Sequence, residues 1–308
     1  MPRVCHTILD AIGGTPVIPF KRLVPAGSAQ VFGKYEAGNP SSSLKDRPAL
    51  ALIEKHVRAG RLNRGSIIVA ATSGNTGLSL AMISAVRCYQ LHLFMPKDAS
   101  LEKRDLFGHF GAVVHLTPED EGVSGARCAA LDFAALHQKA LFLDQFGDKT
   151  VVDAHVTGTA AEILTDFPAG VDAFVMGVGT GGTISGVGQV LKSAFPKTLI
   201  IAVEPKASAV LSGGDAGHSR IQQLGLGFVP ENLRCDLIDR VIQITDDEAY
   251  QMTQRLAREE GLLLGLSSGA IVSAALQVAV ELGEGKTVLT IFCDQGQRYF
   301  SLKKFFKK

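Results

Sequence analysis

Ser66-Ile67-Ile68-Val69-Ala70-Ala71-Thr72-Ser73-Gly74-Asn75-Thr76-Gly77 carries an apolar run straight into a polar, glycine-bearing turn, and an apolar helical stretch over residues 78–86 follows it. A strand that is apolar at successive positions has no solvent face, so it must be covered on both sides, as in a parallel sheet between layers of helices. The same order returns at Ala173-Phe174-Val175-Met176 followed by Gly177-Val178-Gly179-Thr180-Gly181-Gly182-Thr183. Further short apolar runs at residues 91–95, 113–116, 199–203 and 288–292 alternate with longer amphipathic stretches. The fold class is therefore α/β, with parallel-rich twisted sheets covered by helices. Ligands of open α/β sheets sit at the carboxyl ends of strands, so two such turns far apart in the chain predict two sheets facing one cleft.

The bulk properties agree with a soluble small-molecule protein. A chain of 308 residues with 46% hydrophobic content buries a large core. Its 31 basic and 30 acidic side chains nearly cancel, which leaves no field to gather nucleic acid or a membrane surface. Cys5, Cys88, Cys128, Cys235 and Cys293 form no CxxC pair or zinc spacing, so reduced thiols in a cytoplasmic protein, and no metal site, are expected. The start has no signal-peptide pattern, and no apolar run approaches the ~20 residues that span a bilayer. The basic-aromatic end Leu302-Lys303-Lys304-Phe305-Phe306-Lys307-Lys308 reads as a solvated or subunit-packing tail. No Pro-, Gly- or Ser-rich linker divides the chain, so a second domain is expected as an insertion.

Three segments carry chemistry. Gly38-Asn39-Pro40-Ser41-Ser42-Ser43-Leu44-Lys45-Asp46-Arg47 predicts a helix start, with Ser43 as cap and Asp46 as the other half of a capping box. Lys45 then falls in the first turn, where the helix dipole and partial burial disfavour its ammonium, as a lysine that joins a carbonyl requires. The turn from Thr72 to Gly77 offers backbone N–H groups and hydroxyls at a helix start, a site for an anion such as a carboxylate. The turn from Gly177 to Thr183 offers consecutive N–H groups with no side chain in the way, a phosphate cradle. It lacks the Gly-Lys-Ser/Thr ending of a nucleotide P-loop. Gly177, Gly179 and Gly182 also spell G-x-G-x-x-G, and Glu204 follows at the end of the next strand, so an NAD(P)-dependent dehydrogenase is the competing reading. That reading leaves Lys45 and Asn75 without a task.

In register, the Asn39–Arg47 stretch, residues 72–77 and residues 179–183 resemble the lysine segment, substrate loop and phosphate loop of the cysteine synthase / cystathionine β-synthase family. Ile12-Gly13-Gly14-Thr15-Pro16, Gly225-Leu226-Gly227-Phe228-Val229-Pro230 and Gly265-Leu266-Ser267-Ser268-Gly269 extend the resemblance over nearly the whole chain. It implies the second fold type of pyridoxal 5′-phosphate (PLP) enzymes, tryptophan synthase β-like, with the cofactor in an interdomain cleft. Residues 39–147 would form a small mobile substrate-loop domain, and residues 1–38 with 148–308 the large cofactor-phosphate domain. Lys45 would carry the cofactor, Asn75 would bond its 3′-oxygen, and Gly179, Thr180, Gly181, Gly182 and Thr183 would hold its phosphate. Thr72, Ser73, Asn75, Thr76 and Gln145 would bind the substrate carboxylate.

The closing Cys293-Asp294-Gln295-Gly296-Gln297-Arg298-Tyr299 departs from the commoner pattern, with Gln295 where many relatives have a serine at the pyridine nitrogen. Its Cys-Asp-x-Gly spelling resembles the cysteine synthase B subgroup. Cys293 and Gln295 lie two apart on an extended segment and share a face, so both are candidates for that contact. Neither is an acid, and a ring nitrogen without an acidic partner suits β-elimination better than transamination. Asp215-Ala216-Gly217-His218-Ser219-Arg220 is a second departure, near the cleft mouth by resemblance. His155 reads equally as a hydrogen-bonded core histidine or a participant. The implied activity is PLP-dependent β-replacement, O-acetyl-L-serine plus sulfide giving L-cysteine plus acetate through an α-aminoacrylate. The alternatives are another donor or thiol: O-phosphoserine, serine, cysteine or homocysteine. The implied partners are an amino-acid substrate, a thiol or sulfide, and a second copy in a homodimer.

Overall fold

The computed structural model describes residues 4–97, 99 and 101–306. Its strands are β1 (Val17–Pro19), β2 (Gln30–Lys34), β3 (Ile67–Ala71), β4 (Gln90–Pro96), β5 (Val113–Thr117), β6 (Ala140–Phe142), β7 (Ala173–Gly177), β8 (Leu199–Pro205), β9 (Arg240–Ile244) and β10 (Thr287–Ile291). The α-helices are α1 (Asp46–Arg58), α2 (Asn75–Arg87), α3 (Leu101–His109), α4 (Gly122–Leu136), α5 (Thr150–Ala154), α6 (Ala161–Asp166), α7 (Gly182–Ala194), α8 (Asp246–Arg255) and α9 (Leu266–Leu282). The chain divides into two compact units. One holds the described residues of Met1–Ile12 and Asn39–Thr150, the other those of Gly13–Gly38 and Val151–Lys308.

The first unit is built on a four-stranded parallel sheet in the order β5-β4-β3-β6. Side chains alternate across a strand, and β3 uses both faces. Ile68 and Ala70 join a core with Ile53 of α1, Leu80 and Ile83 of α2 and Phe107 of α3. Val69 and Ala71 join Phe94 of β4 and Ala126 and Ala130 of α4 on the other side. Helices cover both faces, which is why the strand reads as continuously apolar.

The second unit has six strands in the order β1-β2-β10-β7-β8-β9, all parallel except for the β1–β2 pair. Its central β7 is buried at every position, and α9 is buried along most of its length. The Phe292 ring, fully buried just past β10, occupies the space a side chain at Gly33 would need. A Cβ there would stand 1.9 Å from its Cζ. Phe306 is buried and stacks flat on Tyr250 with ring centroids 4.2 Å apart, whereas Lys307 and Lys308 of the basic tail lie outside the described residues. Among the described residues no helix is long and apolar enough to cross a membrane.

All six apolar runs anticipated from the sequence are strands. Four others were not anticipated: β1 and β6 are three residues long, β2 contains Gly33 and Lys34, and β9 is interrupted by the polar Arg240 and Gln243.

On the α4 side of the first unit, His92 Nδ1 lies 3.0 Å from His115 Nε2, and His115 stacks on Phe94 at 4.4 Å. Phe133 packs against both imidazoles. Burial lowers both histidines below the usual value, and His115 and His137 lower His92 further. The unfolded chain takes up these protons near the ordinary pKa of about 6.5, while the folded chain resists until a lower pH. This contribution to stability is thus present above about pH 6.5 and is lost as pH falls towards the folded values. Thermal melts from pH 8 to 5.5 should show the melting temperature falling below about pH 6.5, with a shallower fall in His92→Phe/His115→Phe.

Candidate active site

In the first unit the site grows from the entry into α1. Lys45 is the cap residue of α1, with helical backbone angles and no side-chain cap. The expected capping box is absent: Asp46 does not return to Ser43, whose Oγ instead accepts the Lys45 amide at 3.3 Å. The physical reason is stronger competition for the carboxylate. Asp46, fully buried, accepts from the Ser41 amide at 2.7 Å, from Ser79 Oγ at 2.6 Å and from Ser41 Oγ. Ser79 belongs to α2, so Asp46 fastens the lysine segment to that helix, and Lys45 itself is half-buried.

The carboxyl end of β3 turns directly into α2. Gly74 is the cap of α2, extended and with no side-chain cap bond, so the positive end of that helix is available to an anion. Thr72 Oγ1 accepts the Gly74 amide at 3.1 Å. Thr76 Oγ1 donates to Gln145 Oε1 at 2.5 Å, and Gln145 Nε2 donates to the Ala71 carbonyl at 3.3 Å. Thr72, Asn75 and Thr76 are buried, Ser73 and Gln145 half-buried. The structure thus gathers Thr72, Ser73, Asn75, Thr76 and Gln145 around one strand end, although Gln145 is remote in sequence.

In the second unit β7 leads through residues 178–181 into α7, whose cap Gly181 has φ +80°. A Cβ on Gly179 would stand 2.4 Å from the Gln223 carbonyl oxygen. One on Gly181 would stand 2.8 Å from the Leu233 nitrogen, and one on Gly182 2.6 Å from Val151 Cγ1. The loop is therefore packed from behind on its own protein. Among the described residues, the N–H groups of 179–183 donate to no backbone carbonyl. Several free N–H groups at the start of a helix suit a phosphate monoester dianion. His155 is a core histidine: it is buried, with Nε2 3.2 Å from Thr183 Oγ1 and Nδ1 2.9 Å from Thr159 Oγ1, and it fixes a hydroxyl of that loop.

Past β10, Cys293 is buried, its amide donates to Ser268 Oγ at 2.9 Å, and its thiol lies 3.7 Å from the Ile291 carbonyl. Gln295 is half-buried. Its Nε2 donates to the Ala37 carbonyl at 3.4 Å and its Oε1 accepts from Gln297 at 2.6 Å. Asp46, Ser79, Ser268, Gln223, Asp294 and Tyr299 had no functional place in the sequence reading. Asp46 carried a local signal, its position beside Lys45, but was read as a capping partner, while Ser268, Asp294 and Tyr299 lay in quoted segments without a role of their own.

Glu204 disposes of the dehydrogenase reading. Its carboxylate is buried and accepts from the amides of Leu211 at 2.8 Å and Ser212 at 3.0 Å and from Ser212 Oγ at 2.5 Å, so it closes its own loop. The five cysteines form no disulfide with one another, and of them Cys293 is buried. Among the described residues no group of His, Cys, Asp and Glu is arranged to hold a metal ion.

Residues 8–294 match the family model for pyridoxal-phosphate dependent enzymes. The chain is 44% identical over 295 residues to a cysteine synthase of Staphylococcus aureus strain N315, across 96% of this chain and 95% of that protein. It is similar to the crystal structure of an O-ureido-L-serine synthase, at 37% identity and TM-score 0.95 over 98% of this chain and 96% of that one. It is also similar to that of a cysteine synthase from Entamoeba histolytica, at 35% identity and TM-score 0.93 over 99% and 93%. The chain belongs to the pyridoxal-phosphate dependent enzymes, within the cysteine synthase family, and has the second PLP fold type. Its cofactor is pyridoxal phosphate, which the free N–H groups of the 179–183 loop fit at the phosphate end.

Gly181→Asp and Gly181→Asn impose the same backbone strain and nearly the same bulk at φ +80°, and differ in one charge. If the loop holds a phosphate, the aspartate variant should retain at least about tenfold less PLP than the asparagine variant after dialysis. Absorbance of the released cofactor reads the difference.

Proposed function

We propose that this chain catalyses β-replacement on an activated serine, O-acetyl-L-serine plus sulfide giving L-cysteine plus acetate. The observation that carries the reading is the gathering of Thr72, Asn75, Thr76 and Gln145 at the start of α2, in the unit that also bears Lys45. A helix N-terminus dressed with hydroxyls and amides suits an α-carboxylate. The 44% identity to a cysteine synthase supports the choice of substrate. PLP, when bound, supplies the carbonyl for an amine and the electron sink that lets the α-proton and the β-substituent leave.

The rest falls to the protein. Lys45 would hold the cofactor through Nζ, and the same nitrogen, when free, would take the α-proton of the substrate. Asn75 would bond the cofactor's 3′-oxygen, and residues 179–183 would hold its phosphate. Thr72, Ser73, Asn75, Thr76 and Gln145 hold the substrate carboxylate, so that the Cα–H bond stays aligned with Lys45. In the overall exchange acetate leaves with its bonding electrons and sulfide takes its place at the β-carbon, and Lys45 would return its proton to Cα. In this reading Cys293 or Gln295 would meet the pyridine nitrogen, and since neither is an acid that would hold that nitrogen protonated, elimination is favoured over transamination.

The proposal includes a substrate-loop domain over residues 39–147, a cofactor-phosphate domain over 1–38 and 148–308, and a cytoplasmic homodimer. The likeness to an O-ureido-L-serine synthase favours a second reading of the same chemistry, with another nucleophile at the β-carbon.

Lys45→Ala should remain folded by circular dichroism and lose turnover by roughly a thousandfold or more, together with the wild-type cofactor absorbance. Wild-type turnover in that variant would sink the assignment. Steady-state rates over O-acetylserine, O-phosphoserine and serine, each with sulfide and with homocysteine, should rank O-acetylserine with sulfide first.

A further inference from the structure

In the second unit, three loops that leave the sheet are joined by a residue with no assigned task. Gln223 has a left-handed backbone, φ +74°, a conformation unfavourable to any residue with a Cβ and maintained only where the surroundings impose it. Its carbonyl oxygen is the atom 2.4 Å from the Cβ position of Gly179, so its peptide lies directly behind the 179–183 loop. Its side chain turns to another segment. Nε2 donates to Tyr299 Oη at 2.5 Å and to Asp294 Oδ2 at 3.3 Å, and Tyr299 Oη donates to the same carboxylate oxygen.

Asp294 is fully buried between Cys293 and Gln295 in the chain. The Asp294–Tyr299 pair also closes over the start of α9. The Gly265 amide donates to the Asp294 carbonyl at 3.1 Å, and a Cβ on Gly265 would stand 2.7 Å from Tyr299 Cε2. The neighbouring Cys293 amide donates to Ser268 Oγ in the first turn of α9. One strained residue therefore touches the phosphate-loop candidate with its backbone and the 293–299 segment with its side chain.

We propose that Gln223 is a positioning residue of the cofactor site: its peptide backs the 179–183 loop while its side-chain amide holds the Asp294–Tyr299 pair beside Cys293 and Gln295. This rests on the functional reading above, in which that loop takes the phosphate and Cys293 or Gln295 meets the ring nitrogen. A cofactor held at both ends needs those ends at a fixed separation, and a residue packed against one segment and hydrogen-bonded to the other supplies it.

Gln223→Gly and Gln223→Asn tolerate the left-handed backbone but do not reach Tyr299, and Tyr299→Phe removes the same bond from the other side. In the full chain each should raise the PLP dissociation constant about tenfold and shift the visible absorbance maximum. The melting temperature of Gln223→Gly stripped of PLP should stay within about 2 °C of wild type, because relief of strain offsets the lost bonds. Gln223→Gly/Tyr299→Phe should bind PLP no more weakly than the worse single variant, as expected of groups acting through one contact. Unchanged affinity and spectrum in Gln223→Gly and Gln223→Asn, with wild-type protein binding PLP normally, would overturn the proposal. Additive losses in the double variant, or affinity falling only in step with melting temperature, would also overturn it. Wild-type protein that takes up no PLP would instead refute the functional reading, and the proposal with it.

Discussion

No side chain fits at residue 179, because the Gln223 carbonyl oxygen already occupies the space where a Cβ would need to be. The same exclusion holds at Gly181 against Leu233 and at Gly182 against Val151. Close packing against the three glycines leaves backbone amides and the hydroxyls of Thr180 and Thr183 as the chemistry the loop presents. Thr183, just past the start of that helix, has its hydroxyl set by His155, which sits on a π-helical turn, His155–Ala160. A phosphate-sized anion meets amides that are already oriented, so little ordering remains to be done on binding.

The first unit solves a different problem, which is to place a lysine without using the lysine. A buried carboxylate is costly unless hydrogen bonds satisfy it. Asp46 receives bonds from Ser41 and Ser79, on its own segment and on α2. Lys45, the preceding residue, inherits its position from that arrangement. The hydroxyl of Ser79 also donates to the Asn75 carbonyl at 3.1 Å, which ties the same arrangement to the first turn of α2. The lysine segment and the substrate-loop candidate are thus parts of one hydrogen-bonded assembly.

The sequence was most legible where burial on both faces left an unbroken apolar run. β3, β4, β5, β7, β8 and β10 were visible for that reason, and so were the glycine-bearing turns after β3 and β7. β9 was missed because it lies at a sheet edge and carries the polar Arg240 and Gln243, and β2 because Gly33 and Lys34 hide a strand whose glycine admits Phe292. Local reasoning placed Ser43 and Asp46 in a capping box, whereas partners distant in the chain claimed the carboxylate. The Gln223–Tyr299–Asp294 contacts were illegible for a related cause: nothing in Ile221-Gln222-Gln223-Leu224 announces a left-handed glutamine or a tyrosine 76 residues away.

The strand order of the larger sheet bears on how the chain is made. β2, near the amino end, hydrogen-bonds to β10, near the carboxyl end, with Gln30 opposite Thr287 and Lys34 opposite Ile291. During synthesis β1 and β2 emerge first but have no neighbour beyond each other until almost the whole chain is out. The four strands of the smaller sheet are all present once Phe142 has been added. Contacts of such large sequence separation form late and slowly, and they leave an apolar strand edge open in the meantime. A ribosome-bound chain of this protein therefore has every strand of the smaller sheet long before the larger sheet can be completed, and it remains vulnerable to edge pairing until its last strand arrives.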